Sequence, residues 1–391
     1  MTFSYLLIFS AYLLVLLFVV SRKSVSKWLQ LSPGQLTALF IIKIIVAALY
    51  GYIGGPLYDF RFDTWRTFYD SLIETDILRN HPPEFVTNIF HDPYQNWDMS
   101  LGAPPSTFWN DFQANAYLKI IAVFNLLSGG RYYVNILFFS CISFAGWACF
   151  YRFFLDIFPQ KKNIIVLSSF FLPSFLFWGS GMYKEGLIFS GICFIIFSTL
   201  KMMQYRKVTG ALVILLVAGL LILLLIRTYV FAMILPFWLI WVIFYFKGIK
   251  LSGWKLAGVV ILSGITGLLL LNLILDYNIL ETLHLKRGQF LKEEGNSLLN
   301  PENIGSDLMS GLLWLPNALE YSLLRPFPWE GLKLLYLPSA LEILIIEIMI
   351  LMLFFRKKAR FSLGQPVWIM ILFSILMLTL IGYTVPFLGA I

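Results

Sequence analysis

Acidic residues concentrate in one stretch of a chain that otherwise has few charges. Nine of them lie between Gly54 and Asp111, although charged residues are only 13% of the sequence. The stretch follows one strongly apolar segment and leads into another. Carboxylates held beside a membrane are suited to removing a proton from a hydroxyl group. We therefore expect any chemistry to lie in residues 55–131.

Four charged side chains in this stretch have the spacing of a single helix face. Asp59, Asp63, Arg66 and Asp70 recur at i, i+4, i+7 and i+11. Such a face, held at the level of lipid head groups, suits a general base acting on an incoming hydroxyl. A surface helix with solvated acids fits the same pattern, so both interpretations remain open. The helix would direct its aromatic rings to the membrane interface: Phe62, Trp65, Phe68 and Tyr69.

Three further charges lie close to apolar segments. Lys184 and Glu185 precede one such segment, and Arg227 separates two others. Charge so near to hydrocarbon is unfavourable unless it is paired or hydrated. Lys184 is a candidate ligand for a phosphate, with Glu185 as its partner or as a second carboxylate, and Arg227 can bind a phosphate in bidentate fashion. An interfacial ion pair and a snorkelling arginine are the alternatives.

A second candidate cluster surrounds two prolines. Arg325, Trp329 and Glu330 combine a cation, an aromatic platform and a carboxylate on a rigid turn, which would serve a sugar or a sugar phosphate. Simple anchoring of the turn at the interface would need the same residues.

Two carboxylates lie within an apolar segment near the C-terminus. Glu342 and Glu347 are five residues apart, and buried acids of this kind mark a proton path in transporters. Lys43 is the only basic residue equally deep in an apolar segment. It either pairs with one of these acids or snorkels inward.

Ligands for a divalent cation are present, but without a diagnostic spacing. Oxygen and nitrogen donors are scattered through the first long segment: His81, Glu84, His91, Asp92 and Asp98. No pair of histidines has helical spacing, so no metal site is assigned and a divalent cation stays an open cofactor. There is no glycine-rich phosphate loop or Walker motif, so we expect no nucleotide cofactor.

Composition and apolar runs indicate how these residues are held. Hydrophobic residues make up 59% of the chain and the mean hydropathy is +0.80, which excludes a soluble domain. We predict an all-α, polytopic integral membrane protein with about ten transmembrane helices and two long extracytoplasmic segments, 55–131 and 276–337. The predicted spans are 3–20, 35–54, 132–154, 163–180, 186–203, 209–226, 229–246, 255–275, 338–355 and 365–385.

A shorter apolar piece at 117–128 reads as re-entrant or interfacial. Polar residues line its approach and either contact a lipid head group or form a surface rim: Asn110, Asp111, Asn115 and Lys119.

Basic residues concentrate in five short alternate connections, which carry 16 of the 29 lysines and arginines. This bias predicts that both termini are extracytoplasmic. It also explains the net charge of +8, so we expect no nucleic-acid partner.

In layout and in a few motifs, the chain resembles the GT-C superfamily of bacterial membrane glycosyltransferases. The resemblance is carried by the acidic run 59–70, Tyr132-Tyr-Val-Asn135, the run from Pro173 to Lys184-Glu185, and Arg325-Pro-Phe-Pro-Trp-Glu330. It implies a polyprenyl-phosphate-linked sugar donor and a base in the first outer loop. Carried over by position, the base is Asp63 or Asp59, and Lys184, Arg227 and Arg325 hold the donor phosphate.

The expected function is glycosyl transfer from this donor to a glycan or a lipid-linked acceptor, on the outer face of the bacterial cytoplasmic membrane. The superfamily usually places its catalytic loop after the first span, whereas here it follows the second. That departure leaves the O-antigen and exopolysaccharide polymerases as an alternative. A transporter or flippase of lipid-linked glycans is the alternative of a different class, with Glu342 and Glu347 coupling protons.

Overall fold

A computed structural model describes residues 3–57, 63–90, 108–251, 253–275, 279–291, 308–327, 329–330, 337–355 and 363–385. The regular secondary structure of these residues is entirely helical. The all-α prediction is therefore confirmed for the described part of the chain. The chain divides into two compact units, a first unit from Met1 to Phe231 and a second unit from Ala232 to Ile391.

The first unit contains most of the candidate chemistry. Its helices are α1 (Phe3–Val20), α2 (Lys23–Leu29), α3 (Pro33–Tyr52), α4 (Asp63–Asn80), α5 (Pro82–Thr87), α6 (Phe108–Ser128), α7 (Tyr132–Ile157), α8 (Lys162–Phe170), α9 (Pro173–Trp178), α10 (Lys184–Tyr205), α11 (Gly210–Ile226) and α12 (Thr228–Phe246), which continues into the second unit. A π-helical turn, Ile53–Leu57, extends α3.

The second unit continues with α13 (Gly253–Leu275), α14 (Ile279–Phe290), α15 (Leu308–Leu323), α16 (Leu337–Phe355) and α17 (Gln365–Thr384). Helices α13, α14 and α15 all pack against α17. Trp314, Ala318 and Tyr383 form the buried centre of the α15–α17 contact.

Six described helices are long and apolar enough to cross a membrane: α1, α3 with its extension to Leu57, α7, α10, α12 and α17. Helix α11 and the segment Gly253–Gly264 are apolar but shorter. These helices indicate a membrane protein, as expected from the composition. The count of about ten spans and the two extracytoplasmic segments stay predictions.

The prediction of one helical span at 163–180 is wrong. The structure has two short helices there, α8 and α9, separated by Phe171 and Leu172. Leu172 has an extended backbone with φ −65° and ψ 117°, and Pro173 is the first residue of α9. Proline disfavours the helical conformation of the residue before it, so Pro173 begins a new helix instead of kinking an existing one.

The described part of the acidic helix carries three of the four charges predicted for one face, Asp63, Arg66 and Asp70. Asp59 lies outside the described residues, and α4 starts at Asp63. Trp65 and Phe68, which we expected at the membrane interface, are buried in the core of the first unit. Their rings pack against Tyr132 of α7, because that face of α4 is covered by protein.

Helices α10 and α11 approach each other closely at small residues. A Cβ atom added to Gly219 of α11 would lie 2.7 Å from the carbonyl oxygen of Gly191 in α10. Such small-residue contacts let membrane helices pack backbone to backbone. The contact matters for the site because α10 begins with Lys184 and α11 leads into Arg227.

We expect Gly219→Ala to destabilise the protein by about 1–3 kcal/mol, since the added methyl group forces the two backbones apart. Gly210→Ala is the matched control, because Gly210 lies on the same helix with nothing within 4 Å of an added Cβ. Thermal unfolding in detergent should show a lower Tm for Gly219→Ala alone. Equal Tm values for the two variants would contradict the close packing.

Candidate functional site

The start of α4 is fixed against α3, α7 and the segment that precedes α10. The Thr64 hydroxyl donates to the Met182 carbonyl oxygen at 2.8 Å and lies 2.9 Å from the Tyr132 hydroxyl. Trp65 donates through its indole nitrogen to the Gly51 carbonyl oxygen at 2.8 Å. Its ring also stacks on Tyr132 with centroids 3.8 Å apart. These contacts bring Asp63, the first residue of α4, close to Lys184.

The non-helical segment 179–183 joins α9 to α10 and is held from several sides. Lys43 of α3 donates through its ammonium to the Gly179 carbonyl oxygen at 3.0 Å and to the Ser180 hydroxyl at 3.2 Å. Gly181 lies against Tyr50, whose Cδ1 would be 2.5 Å from an added Cβ. The segment therefore delivers the next residue, Lys184, in a fixed position.

Four of the predicted charged residues lie near one another at the end of this segment. Arg227 pairs with Glu185, with Nη2 and Oε1 3.5 Å apart. Lys184 interacts electrostatically with Arg227, Glu185 and Asp63. The Asp63 side chain is exposed. We call Asp63, Lys184, Glu185 and Arg227 the charged cluster. Within this cluster the ion-pair partner of Glu185 is Arg227, and not Lys184, which was one of the predicted alternatives.

Lys184 is the cation of the charged cluster that lacks a partner among the described residues. Within the described part of the chain its ammonium makes no hydrogen bond or ion pair, and it lies 5.2 Å from the ring centroid of Tyr117. It is also the first residue of α10, where the helix dipole disfavours a cation. Glu185 Oε2 and Arg227 Nε are buried without a hydrogen-bond partner among the described residues. An anion placed here would gain the Lys184 ammonium and the Arg227 Nε–H as donors, whereas Glu185 Oε2 is an acceptor and would itself need a donor from the ligand.

Arg227 is positioned by the tight link between α11 and α12. It is the single residue between the two helices, and its backbone nitrogen donates to the Leu223 carbonyl oxygen at 2.9 Å. Thr228, which follows it, accepts a hydrogen bond from the Gln113 amide of α6 at 2.8 Å. The link between α11 and α12 is thus held against α6, and the Arg227 guanidinium is held against α10 through Glu185.

Two tyrosines beside the charged cluster were missed by sequence reasoning. Burial, reinforced by Glu185, raises the pKa of Tyr117 and of Tyr183 above the usual value for tyrosine. Both hydroxyls therefore stay protonated and available as donors. The Tyr117 hydroxyl is buried without a hydrogen-bond partner in the described residues. Nothing in their spacing separates these residues from the many other tyrosines near apolar segments.

Of the remaining candidates on α4, Arg66 and Asp70 are both partly buried. They follow Asp63 at helical spacing, as predicted for one face. Asp59 lies outside the described residues, so its role as an alternative base stays a prediction.

Lys119 does not form the surface rim that was one interpretation of its position. Its ammonium pairs with Glu74 Oε2 at 2.8 Å, and its side chain is only 10% exposed. Asn88 bonds both partners, accepting from Lys119 and donating to Glu74 Oε1 at 3.2 Å. Further along α6, Asn125 donates to Ser71 at 2.9 Å. This polar contact fixes α4 to α6 and so supports the placement of Asp63.

We expect Lys119→Met to destabilise the protein by about 3 kcal/mol, because it leaves the Glu74 carboxylate buried without its cation. Adding Glu74→Gln should restore much of the loss, since the remaining charge is then removed as well. Chemical unfolding of the single and double variants measures both effects, with exposed Lys161→Met as the control. If the double variant is no more stable than Lys119→Met, the ion pair is not the source of the stability.

The candidate cluster of the second unit forms a closed set of ion pairs. Arg325 pairs with Glu320 at 3.1 Å and with Glu330 at 3.2 Å. Trp329 is 76% exposed and stacks on Phe327 with centroids 5.0 Å apart. The sugar contact expected of Arg325, Trp329 and Glu330 stays a prediction. Convergence of Arg325 with the charged cluster stays a prediction.

Metal ligands and relatives add no further assignment. No group of three or more histidine, cysteine or acidic side chains among the described residues has the arrangement of a metal site. His91, Asp92 and Asp98 lie outside those residues. Comparison with protein-family models, curated proteins and solved structures gives no match to this chain. The charged cluster is therefore the feature from which a function can be inferred.

Proposed function

We propose that the protein transfers a glycosyl group from a polyprenyl-phosphate-linked donor to a hydroxyl of a glycan or lipid-linked acceptor. The observation that carries the proposal is Lys184, a cation with no described protein acceptor that lies close to Arg227 and to the exposed carboxylate of Asp63. Two cations and one available base are what transfer from a lipid phosphate requires.

Each side chain has a defined role in this reaction. The acceptor hydroxyl attacks the anomeric carbon of the donor, and the bond from that carbon to the phosphate oxygen breaks. Asp63 takes the proton of the hydroxyl as the new glycosidic bond forms. Lys184 and Arg227 stabilise the negative charge that develops on the departing lipid phosphate. Glu185 orients Arg227 through their ion pair.

Membrane embedding supports a lipid-linked donor. The charged cluster lies at the first residues of α10 and directly before α12, two of the helices that are long enough to cross a membrane. A phosphate at the head-group level would meet the cluster while its lipid chain stayed among the helices. The basic connections predict that this end faces outward from the bacterial cytoplasmic membrane, with both termini on the same side.

The test is transfer of a labelled sugar in proteoliposomes that contain the purified protein, a polyprenyl-phosphate sugar and a candidate acceptor. We expect a labelled product linked by a new glycosidic bond, with release of the free lipid phosphate. A product extended by one sugar supports a transferase, and a ladder of repeating units supports the polymerase alternative. The proposal would be overturned if the protein consumed none of the donors in a panel of donors and acceptors.

A carrier of lipid-linked glycans is the second candidate function. Glu347 of α16 favours it, because Oε1 of its carboxylate is buried without a hydrogen-bond partner among the described residues. A carrier that couples protons through this group should lose translocation in Glu347→Gln while the lipid-linked glycan stays chemically intact. An enzyme should keep its transfer activity in the same variant.

A further inference from the structure

Unlike the buried Lys119, Lys43 lies in the interior of the first unit without an acidic partner among the described residues. Lys43 of α3 is fully buried, with 0% exposure, and makes no ion pair with a carboxylate in the described part of the chain. Its ammonium lies 3.5 Å from the ring centroid of Trp147. The predicted alternatives, pairing with an acid of the C-terminal apolar segment or snorkelling, are replaced by contacts with segment 179–183.

Burying the amino group of Lys43 without a carboxylate is unfavourable for stability. A buried lysine without a counter-ion loses hydration that carbonyl and ring contacts replace only in part. A methionine of similar volume would pack in the same space without that loss. The position therefore calls for a role other than packing.

The contacts of Lys43 identify that role. Gly179 directly follows α9, and its carbonyl oxygen is one that a helix end leaves without an intrahelical donor. Lys43 supplies the donor at 3.0 Å, and the neighbouring Ser180 hydroxyl receives a second bond at 3.2 Å. Lys43 therefore holds the segment at its first two residues, and the first of these lies five residues before Lys184.

Other hydrogen bonds constrain the same segment, but they go to different atoms from those that Lys43 contacts. Ser140 of α7 donates to the Ser180 carbonyl oxygen at 3.3 Å, and Thr64 of α4 donates to the Met182 carbonyl oxygen at 2.8 Å. The Thr64 bond links the segment to the residue that follows Asp63. Displacement of the segment would therefore change the distance between Asp63 and Lys184.

We propose that Lys43 is a positioning residue, whose buried amino group fixes segment 179–183 so that Lys184 faces Asp63. This inference rests on the proposed function for its catalytic consequence, although the fixing of the segment does not depend on it. A misplacement of about 1 Å in such a site can lower a rate by up to about 100-fold.

The first measurement is amide hydrogen exchange over residues 179–186 in Lys43→Met, with Ile45→Met on the exposed face of α3 as the matched control. We expect exchange to rise at least fivefold in this segment for Lys43→Met only, with α7 unchanged. Ser180→Ala removes one acceptor and should give a smaller rise, which keeps the test valid if Lys43→Met does not fold. Unchanged exchange in both variants would overturn the proposal.

The second measurement separates positioning from a packing role. We expect Lys43→Met to lower kcat for glycosyl transfer by about 10- to 100-fold while Tm stays equal or rises. An unchanged kcat, or a Tm that falls in proportion to activity, would overturn the positioning role. Absence of transfer by the wild-type protein would instead overturn the proposed function, and the exchange result would still decide whether Lys43 fixes the segment.

Discussion

Asp63→Asn is expected to lower kcat for glycosyl transfer by about 10²- to 10⁴-fold, the range that general-base catalysis contributes. Asparagine has nearly the same size but cannot take the proton of the acceptor hydroxyl. The donor phosphate is bound by Lys184 and Arg227 in our proposal, so the KM for the donor should change little. Steady-state kinetics with a labelled donor measure both quantities.

Folding should be unaffected in this variant, which makes the result easy to interpret. The Asp63 side chain is exposed, and its carboxylate makes no hydrogen bond within the described residues. Asp76→Asn is the matched control, an exposed acid on the same helix roughly 20 Å further along its axis. If Asp63→Asn keeps more than a tenth of the activity, another group is the base, and Glu185→Gln becomes the next variant to measure.

The apolar helices were predictable because their length is set by the thickness of a membrane. Helix α1 begins and ends where its apolar run does, and α17 ends within one residue of the predicted boundary. The sequence did not predict that the helix would end before Pro173 and a new one begin there. A proline inside an apolar run either kinks a helix or starts a new one, and the choice depends on neighbours such as Lys43 that reach the freed carbonyl.

The helices between the spans were harder to predict, because tertiary contacts change what their sequence pattern means. Helix α6 runs from Phe108, although only 117–128 reads as apolar. Two of its polar residues face α4, where Lys119 meets Glu74 and Asn125 meets Ser71. Such residues have the same spacing whether they face water or a polar partner. Periodicity alone therefore does not distinguish a surface rim from a buried polar contact.

The candidate site was predictable in its charged residues and not in their pairing. Lys184, Glu185 and Arg227 were found because charge beside an apolar segment is unfavourable without a role. That Arg227 takes Glu185 and leaves Lys184 available depends on how closely α10 and α11 approach. Tyr117 carried no signal, since a buried tyrosine in an apolar stretch is normally part of the core.

Lys184→Met is expected to lower kcat/KM for the lipid-linked donor by about 10²- to 10³-fold, the loss typical when one donor to a developing anion is removed. The same variant should be as stable as the wild type or more stable. Lys184 opposes the dipole of α10 and has no described ion-pair partner, so its removal leaves no charge unpaired. Lys184→Arg should retain part of the activity because it keeps the cation.

Lys23→Met provides the matched control, since Lys23 is the exposed first residue of α2 and is predicted to lie on the cytoplasmic side. Transfer kinetics and thermal unfolding of both variants separate function from folding. A large drop in Tm for Lys184→Met would mean that the lysine is a structural cation whose partner lies outside the described residues. Reduced activity with an unchanged or higher Tm is the result that binding of the donor phosphate requires, because a side chain retained for its ligand contributes little to the empty protein.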